Sequence, residues 1–215
     1  MSIRLVEWFP PLFRDRAAAG EALADAVAAR DLGDPLVVGL ARGGVAVALE
    51  VARRLGAPLT AVAVARVNAR GLRLGAATAE GPPYLSAGHG VPEDEVAAVV
   101  ARAQRDAGAL ERRLELERPA LAGRAVLLVD DGLVTGLTLA AACRWARASG
   151  AAPLAAAVPV GAPRGLERVA AEADEVVCPH VVGELAVVGQ AYDVFDPLDE
   201  WYVAGLLAEA RESEP

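Results

Sequence analysis

Two adjacent carboxylates stand at the end of an apolar run in this 215-residue chain. In VLLVDDGLVTGLT, positions 126–138, four apolar residues lead directly into Asp130 and Asp131. Paired carboxylates can accept hydrogen bonds from vicinal hydroxyl groups, and they attract Mg²⁺ directly or through water. A single aspartate here would fit an ordinary strand-to-helix turn. Two like charges side by side need compensation, which favours a site for a diol or a cation.

The residues after the two aspartates are typical of an anion site. Gly132 and Gly136 lie close to the hydroxyl side chains of Thr135 and Thr138. Backbone N–H groups of such a turn can converge on one anion, and the amino end of the following helix adds positive potential. The segment matches neither the Walker phosphate loop nor the GxGxxG fingerprint. A phosphate site beside a diol site describes a ribose 5-phosphate.

A second candidate loop is ARGG, positions 41–44. Arg42 can form charge-assisted hydrogen bonds with a pyrophosphate group, and Gly43 and Gly44 allow the backbone to approach it. Arg-Gly-Gly alone is typical of a plain turn. Its combination with the acidic segment further along the chain favours an anion site.

Alternating apolar and amphipathic segments predict the elements that position these loops. They indicate an α/β fold, a Rossmann-like open parallel sheet flanked by helices. Ligands of such sheets bind beyond the carboxyl ends of the strands, which selects 41–44, 130–137 and the segment after Cys178. The predicted strands are 35–40, 59–67, 124–130, 153–160 and 174–178, with short ones at 74–78, 83–86 and 191–195; the predicted helices are 15–31, 45–56, 93–118, 137–149 and 163–173, and one at the C-terminus.

Composition excludes several classes of function. The net charge of −8 argues against a general nucleic-acid binder. All 21 basic residues are arginine, which rules out lysine Schiff-base chemistry. Cys143 and Cys178 are expected to be free thiols in a reducing cytosol. With no recognisable signal peptide and no charge-free apolar run of about 18 residues, we predict a cytoplasmic protein outside the membrane.

The segment 126–138 resembles the phosphoribosyl pyrophosphate (PRPP) signature of type I phosphoribosyltransferases. VVGLARGGVAVA, positions 37–48, resembles the pyrophosphate loop of that family, for which the resemblance implies a non-proline cis peptide. The similarity covers nearly the whole chain and is closest to a stand-alone bacterial subgroup of unassigned acceptor. It implies one domain over 1–215, with a core at about 15–178, a mobile loop at about 68–92 and a small C-terminal hood at about 178–215.

The resemblance also implies roles for individual residues. Asp130 and Asp131 would hold the ribose hydroxyls and, directly or through water, Mg²⁺, the implied cofactor; with Arg42 they form the implied catalytic set. The implied 5-phosphate site is Gly132, Val134, Thr135, Gly136, Leu137 and Thr138, and the implied pyrophosphate site is Ala41, Arg42, Gly43, Gly44 and Arg66.

An acceptor pocket is implied where the hood begins. Its candidate residues are Val177, Cys178, His180, Val188 and Tyr192. For Tyr192, as for Phe195, a place in the core of the hood is an equal alternative.

Two positions depart from the family pattern. Arg66 stands where the subgroup carries a lysine, and a glutamate and about two residues are missing before LGA. Arginine and lysine differ in geometry, so this change bears on catalysis. Val134 stands where some purine-specific relatives carry a carboxylate, and it offers no general base.

The resemblance implies transfer of 5-phosphoribosyl from PRPP to a small nitrogenous, nucleobase-like acceptor with release of pyrophosphate. The alternative is a PRPP- or nucleotide-binding regulator with the same fold and reduced catalysis, which the altered segment 65–74 favours. A phosphoacceptor receiver domain is set aside because it requires a lysine. PRPP and the acceptor are the expected partners, without nucleic acid or membrane, and a homodimer is left open.

Overall fold

The computed structural model describes residues 9–212. Its strands are β1 (Leu36–Ala41), β2 (Leu59–Ala69), β3 (Leu72–Thr78), β4 (Tyr84–Leu85), β5 (Val126–Val129), β6 (Leu154–Ala157), β7 (Val160–Gly161), β8 (Glu175–Val177) and β9 (His180–Val181). Its helices are α1 (Arg16–Ala28), α2 (Gly43–Leu55), α3 (Glu93–Arg113), α4 (Leu137–Ala148), α5 (Pro163–Ala170) and α6 (Glu200–Glu212), with a 3₁₀ helix at Val188–Ala191.

Seven strands form one sheet in the order β4–β3–β2–β1–β5–β6–β8, and β7 pairs with β9 separately. From β2 to β8 the neighbours are parallel, which confirms the predicted α/β fold. After β1 the chain forms β2 on one side of β1, and later forms β5 on the other side. The order in which strands are added therefore changes direction between β1 and β5. Such a switch point opens a crevice beyond the carboxyl ends of the strands. The loops at 41–44 and 130–137 both begin there.

Helices cover both faces of the parallel strands. Val37 and Leu127 pack in a cluster with residues of α1, α2 and α6. Val38 and Leu128 pack on the opposite side with residues of α4 and α5. Successive residues of a strand point to opposite faces, so continuously apolar strands are what a doubly covered sheet requires.

The stretch 68–92 contains an antiparallel extension of the sheet. β2 runs on to Ala69, turns at Arg70 and Gly71, both with positive φ, and returns as β3. The hairpin shares an apolar cluster with α3, which includes Leu74 and Val96. The sequence predicted only short strands here, and the predicted mobility of this stretch stays a prediction.

One predicted strand is absent, and one predicted helix ends earlier than expected. No strand forms at 191–195: a 3₁₀ helix ends at Ala191, and Tyr192 makes only an isolated bridge with Phe13. The helix predicted to run to 118 ends at Arg113, and Glu115 has a φ of 51°. Within residues 9–212, no helix is both long enough and apolar enough to cross a membrane.

Candidate active site

A cavity of about 690 Å³ opens at the switch point between β1 and β5. Its walls come from five parts of the chain: the start of α1 at Arg16, the end of β1, the loop after β5, the β2–β3 hairpin and a hood segment (residues 186–198). The residues predicted for the sugar, the 5-phosphate and the pyrophosphate nearly all line it: Ala41, Arg42, Gly43, Arg66, Asp130, Asp131, Gly132, Val134, Thr135, Gly136 and Thr138.

The two aspartates (the acid pair, Asp130 and Asp131) pack against the glycines of ARGG. A β-carbon on Gly43 would lie 2.1 Å from Asp131 Oδ2, and one on Gly44 would lie 2.6 Å from the carbonyl oxygen of Val129. The peptide bond between Ala41 and Arg42 is cis, which confirms the conformation that the resemblance implied. The glycines therefore make room for the acid pair itself, in addition to any approach by a ligand.

Asp131 is held by a residue that the sequence did not single out. Arg16 Nε donates to Asp131 Oδ2 at 2.9 Å, and the two side chains are only 11% and 14% exposed. Arg16 lies at the start of α1, 115 residues away in sequence. No local pattern distinguishes it among 21 arginines.

The acid pair holds two like charges in a buried place. Burial and the neighbouring charge of Asp131 raise the pKa of Asp130 well above its usual range. Burial also raises the pKa of Asp131, while the hydrogen bond and charge of Arg16 act in the opposite direction. Asp130 Oδ1 accepts the backbone N–H of Asp131 at 2.9 Å. Hydroxyl donors or a cation at this point would stabilise the ionised pair.

The loop after the acid pair (the TG loop, residues 132–138) leads into the amino end of α4. Gly136 precedes the helix with a φ of 69°, and a β-carbon there would lie 2.4 Å from the carbonyl oxygen of Gly165. The first N–H groups of a helix have no partner inside it, so they can bind an anion. Arg168 on α5 donates to the carbonyl oxygen of Thr135 and so braces the loop from outside.

Three guanidinium groups face the cavity from the other side, those of Arg42, Arg66 and Arg73. Within residues 9–212 none of the three lies within 4.0 Å of a carboxylate. Desolvation and the like charge of Arg66 lower the pKa of Arg73, although arginine remains a cation. This cluster can attract a polyanion such as pyrophosphate.

An irregularity in the hairpin brings Arg73 to this side of the sheet. Arg66 pairs with Ala76, but the register shifts after Val67, so that Asn68 pairs with Arg73. Alternate residues share a face, and cross-strand partners do too, which puts Arg73 on the same face as Arg66. Without the shift Arg73 would point to the opposite face.

The residues predicted to bind the acceptor do not all reach the cavity. Val188 lines it and covers Gly132, on which a β-carbon would lie 2.7 Å from Val188 Cγ1. Val177 is a core residue, Cys178 Sγ donates to the carbonyl oxygen of His180 at 3.3 Å, and His180 packs edge-on against Phe13. The acceptor roles stay predictions.

Tyr192 belongs to the core of the hood, which agrees with the alternative interpretation of this residue. It is 5% exposed and packs against the rings of Phe13 and Phe195. Its hydroxyl donates to the backbone carbonyl oxygen of Asp131 at 2.5 Å.

The acid pair fits a divalent cation that is shared with a substrate. Within residues 9–212 no group of three or more His, Cys, Asp and Glu side chains could hold a metal ion alone. Mg²⁺ commonly binds one or two protein carboxylates and completes its shell with substrate oxygens and water.

An acid pair beside a glycine- and threonine-containing loop at the start of a helix, at the switch point of a parallel sheet, is the arrangement expected of the phosphoribosyltransferase class. A sequence profile of the phosphoribosyl transferase domain matches residues 15–193. The chain belongs to the type I phosphoribosyltransferase family.

Comparisons with individual proteins are consistent with this family assignment. A Mycobacterium tuberculosis protein, provisionally named a phosphoribosyl transferase, is 38% identical over 210 residues, which cover 93% of this chain and 47% of the relative. The chain thus spans about half the length of this curated relative. The adenine phosphoribosyltransferase of Mycobacterium marinum is 34% identical over 162 residues, covering 74% of this chain and 73% of that protein. A crystal structure of a Thermus thermophilus protein superposes with a TM-score of 0.78 at 38% identity, covering 92% of this chain and 98% of the other.

Proposed function

We propose that the protein transfers the 5-phosphoribosyl group of PRPP to a nitrogen heterocycle and releases pyrophosphate. The observation that supports this most directly is the convergence of three subsites on one cavity: the acid pair, the TG loop and the cluster of Arg42, Arg66 and Arg73. Their chemistry matches the diol, the 5-phosphate and the pyrophosphate of one molecule.

In the proposed reaction the bond from ribose C1 to the pyrophosphate oxygen breaks, and its electrons leave with pyrophosphate. The acceptor nitrogen forms the new C–N bond and releases its proton to solvent. The sugar passes through an oxocarbenium-like transition state, so catalysis rests on positioning and on stabilising the leaving charge. Asp130 and Asp131 orient the ribose, and Arg42 and its neighbours attract the leaving pyrophosphate.

Mg²⁺ is part of this proposal as an ion that arrives with PRPP. Asp130 and Asp131 would hold it, directly or through water. When bound, it supplies charge neutralisation for the leaving group.

The hood side of the cavity supports an uncharged, flat acceptor. Val188, Phe195, Pro197 and Leu198 line it with apolar side chains. Arg16 lies beside these residues, against the Phe195 ring, and donates to Asp131 and to the carbonyl oxygen of Asp196. The hood segment itself, residues 186–198, contains no arginine to pair with a carboxylate on the acceptor.

The test is pyrophosphate release from Mg·PRPP with a panel of acceptors. Adenine, hypoxanthine, guanine and uracil represent neutral rings, and orotate and nicotinate represent charged ones. Turnover with a neutral ring supports the proposal, and turnover restricted to orotate or nicotinate contradicts the acceptor class. If Mg·PRPP binds but no acceptor is used, the regulator is the better description, and absence of binding contradicts both.

A further inference from the structure

Arg16 connects three parts of the site. It sits at the first position of α1, after the N-cap Asp15, and its side chain is 11% exposed. Nε donates to Asp131 Oδ2 at 2.9 Å, and Nη1 donates to the carbonyl oxygen of Asp196 at 2.9 Å. The guanidinium carbon lies 3.9 Å from the centre of the Phe195 ring. One side chain thus links the first helix, the acid pair and the hood segment.

The contact with Arg16 fixes the orientation of the Asp131 carboxylate. Oδ2 accepts from Arg16 Nε at 2.9 Å and lies beside Gly43, on which a β-carbon would be 2.1 Å away. The position of this one oxygen sets the plane of the whole carboxylate. The other oxygen, Oδ1, remains the one that can accept from a ligand hydroxyl.

The hood segment also holds Asp131, through a hydrogen bond to the backbone of that residue. Tyr192 donates its hydroxyl hydrogen to the carbonyl oxygen of Asp131 at 2.5 Å, and its ring centre lies 4.8 Å from that of Phe195. Phe195 in turn lies against Arg16. Arg16 therefore holds the side chain of Asp131 and Tyr192 holds its main chain, while Phe195 packs against both Arg16 and Tyr192.

We propose that Arg16 is a positioning residue for ribose binding, which aims the Asp131 carboxylate and ties its position to the hood segment. This role depends on the proposed function in one respect, which is that the bound ligand contains a ribose 5-phosphate. Arg16 lines the cavity, but in this proposal it acts on the sugar through Asp131: Nε donates to Asp131, Nη1 donates to Asp196, and one face of the guanidinium lies against Phe195.

The experiment compares R16Q and R16K with R14Q. Arg14 is two residues away, 76% exposed and paired with Asp15, and the cap from Asp15 to the N–H of Ala18 does not involve Arg14. Binding of ribose 5-phosphate, Mg·PRPP and metal-free pyrophosphate is measured by titration calorimetry. We expect R16Q to weaken ribose 5-phosphate and Mg·PRPP roughly tenfold to a hundredfold, the size of effect that residues orienting a ligand group have.

A purely structural role of Arg16 would not produce selectivity among these ligands. R16Q should leave the affinity for metal-free pyrophosphate unchanged, because no cation then links pyrophosphate to Asp131 and the proposed binding groups are those of Arg42, Arg66 and Arg73. R16K should recover part of the loss, since it keeps the charge but not the planar fork that serves two acceptors at once. R14Q should match the wild type with every ligand.

Two results would overturn the proposal: wild-type affinity of R16Q for ribose 5-phosphate, or an equal loss of affinity for pyrophosphate. If R16Q does not fold, the same affinities are measured for R16K and F195L instead. F195L removes only the ring that lies against the guanidinium. If the wild type itself binds no PRPP, the proposed function fails, and crystal structures of the wild type and R16K decide this inference separately. An unmoved Asp131 carboxylate in R16K would then overturn it.

Discussion

Asp131 Oδ2 lies directly against the α-carbon of Gly43, so closely that a β-carbon at residue 43 would stand 2.1 Å from the oxygen. The carboxylate cannot retreat freely, because Arg16 holds the same oxygen at 2.9 Å. The contact joins the loop after β1 to the loop after β5 across the switch point. Gly43 therefore helps to set the position of the acid pair as well as the shape of its own loop.

Substitution of Gly43 by alanine is expected to displace the Asp131 carboxylate and disable the ribose site. A misplacement of about 1 Å can lower the rate of a positioned reaction roughly a hundredfold, and we expect a loss of that order in PRPP turnover. G205A is the matched control, because Gly205 is also helical and has open space at its β-carbon position. Pyrophosphate release and calorimetry with ribose 5-phosphate measure both variants, and wild-type affinity in G43A would contradict this packing.

Substitution of Gly165 by alanine is expected to destabilise the TG loop from outside. A β-carbon there would lie 2.5 Å from both Leu133 Cδ1 and the carbonyl oxygen of Val134. Overpacking of this kind costs about 1–3 kcal/mol of unfolding free energy. Chemical denaturation measures it, with G205A again as the control, for which alanine in an open helical position should be neutral or stabilising. Equal stability of G165A and the wild type would contradict this prediction and would show that the TG loop can move to make room for the extra methyl group.

The sheet and the main loops were predictable because their signals are local. Continuously apolar strands followed by Asp130 or by ARGG identify both the parallel sheet and the edge where its ligands bind. The short strands at 74–78 and 83–86 were predicted, but their antiparallel pairing with an extended β2 was not, because the turn at Arg70 and Gly71 carries no pattern that separates it from a loop. The C-terminal segment near 191–195 was assigned as a strand although its hydrogen bonds go to an irregular N-terminal segment.

The residues that complete the site were less predictable because they depend on tertiary contacts. Arg16 reaches Asp131 across 115 positions of sequence. Arg73 reaches the cavity only because the β2–β3 register shifts after Val67. The position of Arg16 in its helix does not predict its contact with Asp131. The alternation of residues along β3 does not predict the direction of Arg73, because a shift by one residue reverses the face on which a side chain lies.

Loss of Arg73 is expected to weaken pyrophosphate binding. A charge-assisted hydrogen bond is worth about 1.5–3 kcal/mol, and for an exposed side chain we expect the lower end, roughly a tenfold rise in the Kd of Mg·pyrophosphate for R73Q. The effect should shrink at high salt, because exposed charges are screened. R105Q removes an equal charge from the exposed side of α3 and serves as the control. Unchanged affinity of R73Q at low salt would remove Arg73 from the site.

The two cysteines are expected to react slowly with alkylating reagents in the folded protein. Burial raises the pKa of Cys178 from 9.0 to about 11 and that of Cys143 to about 12. Only the thiolate reacts, so at pH 8 Cys178 should be alkylated roughly a hundredfold more slowly than in the unfolded chain. Its rate should keep rising about tenfold per pH unit up to about pH 11.

Mass spectrometry after timed iodoacetamide treatment follows each cysteine separately. Cys143 is 0% exposed and should lag behind Cys178 at every pH. The guanidinium-unfolded protein is the control, in which both thiols should react alike. Rapid modification of Cys178 at pH 7 would mean that the segment after β8 opens readily.

The members of the acid pair are expected to have the same effect on ligand binding and different effects on stability. Asp130 is a buried charge next to another, and its raised pKa means that its ionisation opposes folding at neutral pH, so D130N should raise the free energy of unfolding. D131N relieves the same repulsion but removes the partner of Arg16, whose side chain is only 11% exposed, so D131N should be less stable than D130N.

Both single variants should lose affinity for Mg·PRPP, and the double variant D130N/D131N should show no binding by calorimetry while keeping its fold. Circular dichroism and denaturant titration measure the fold and its stability in the same samples. R14Q again controls for the loss of an ordinary surface charge. If the double variant bound Mg·PRPP like the wild type, the acid pair would not hold the ribose. If D130N were less stable than the wild type, the like-charge repulsion would be compensated inside the protein, and the site would not depend on its ligand to relieve it.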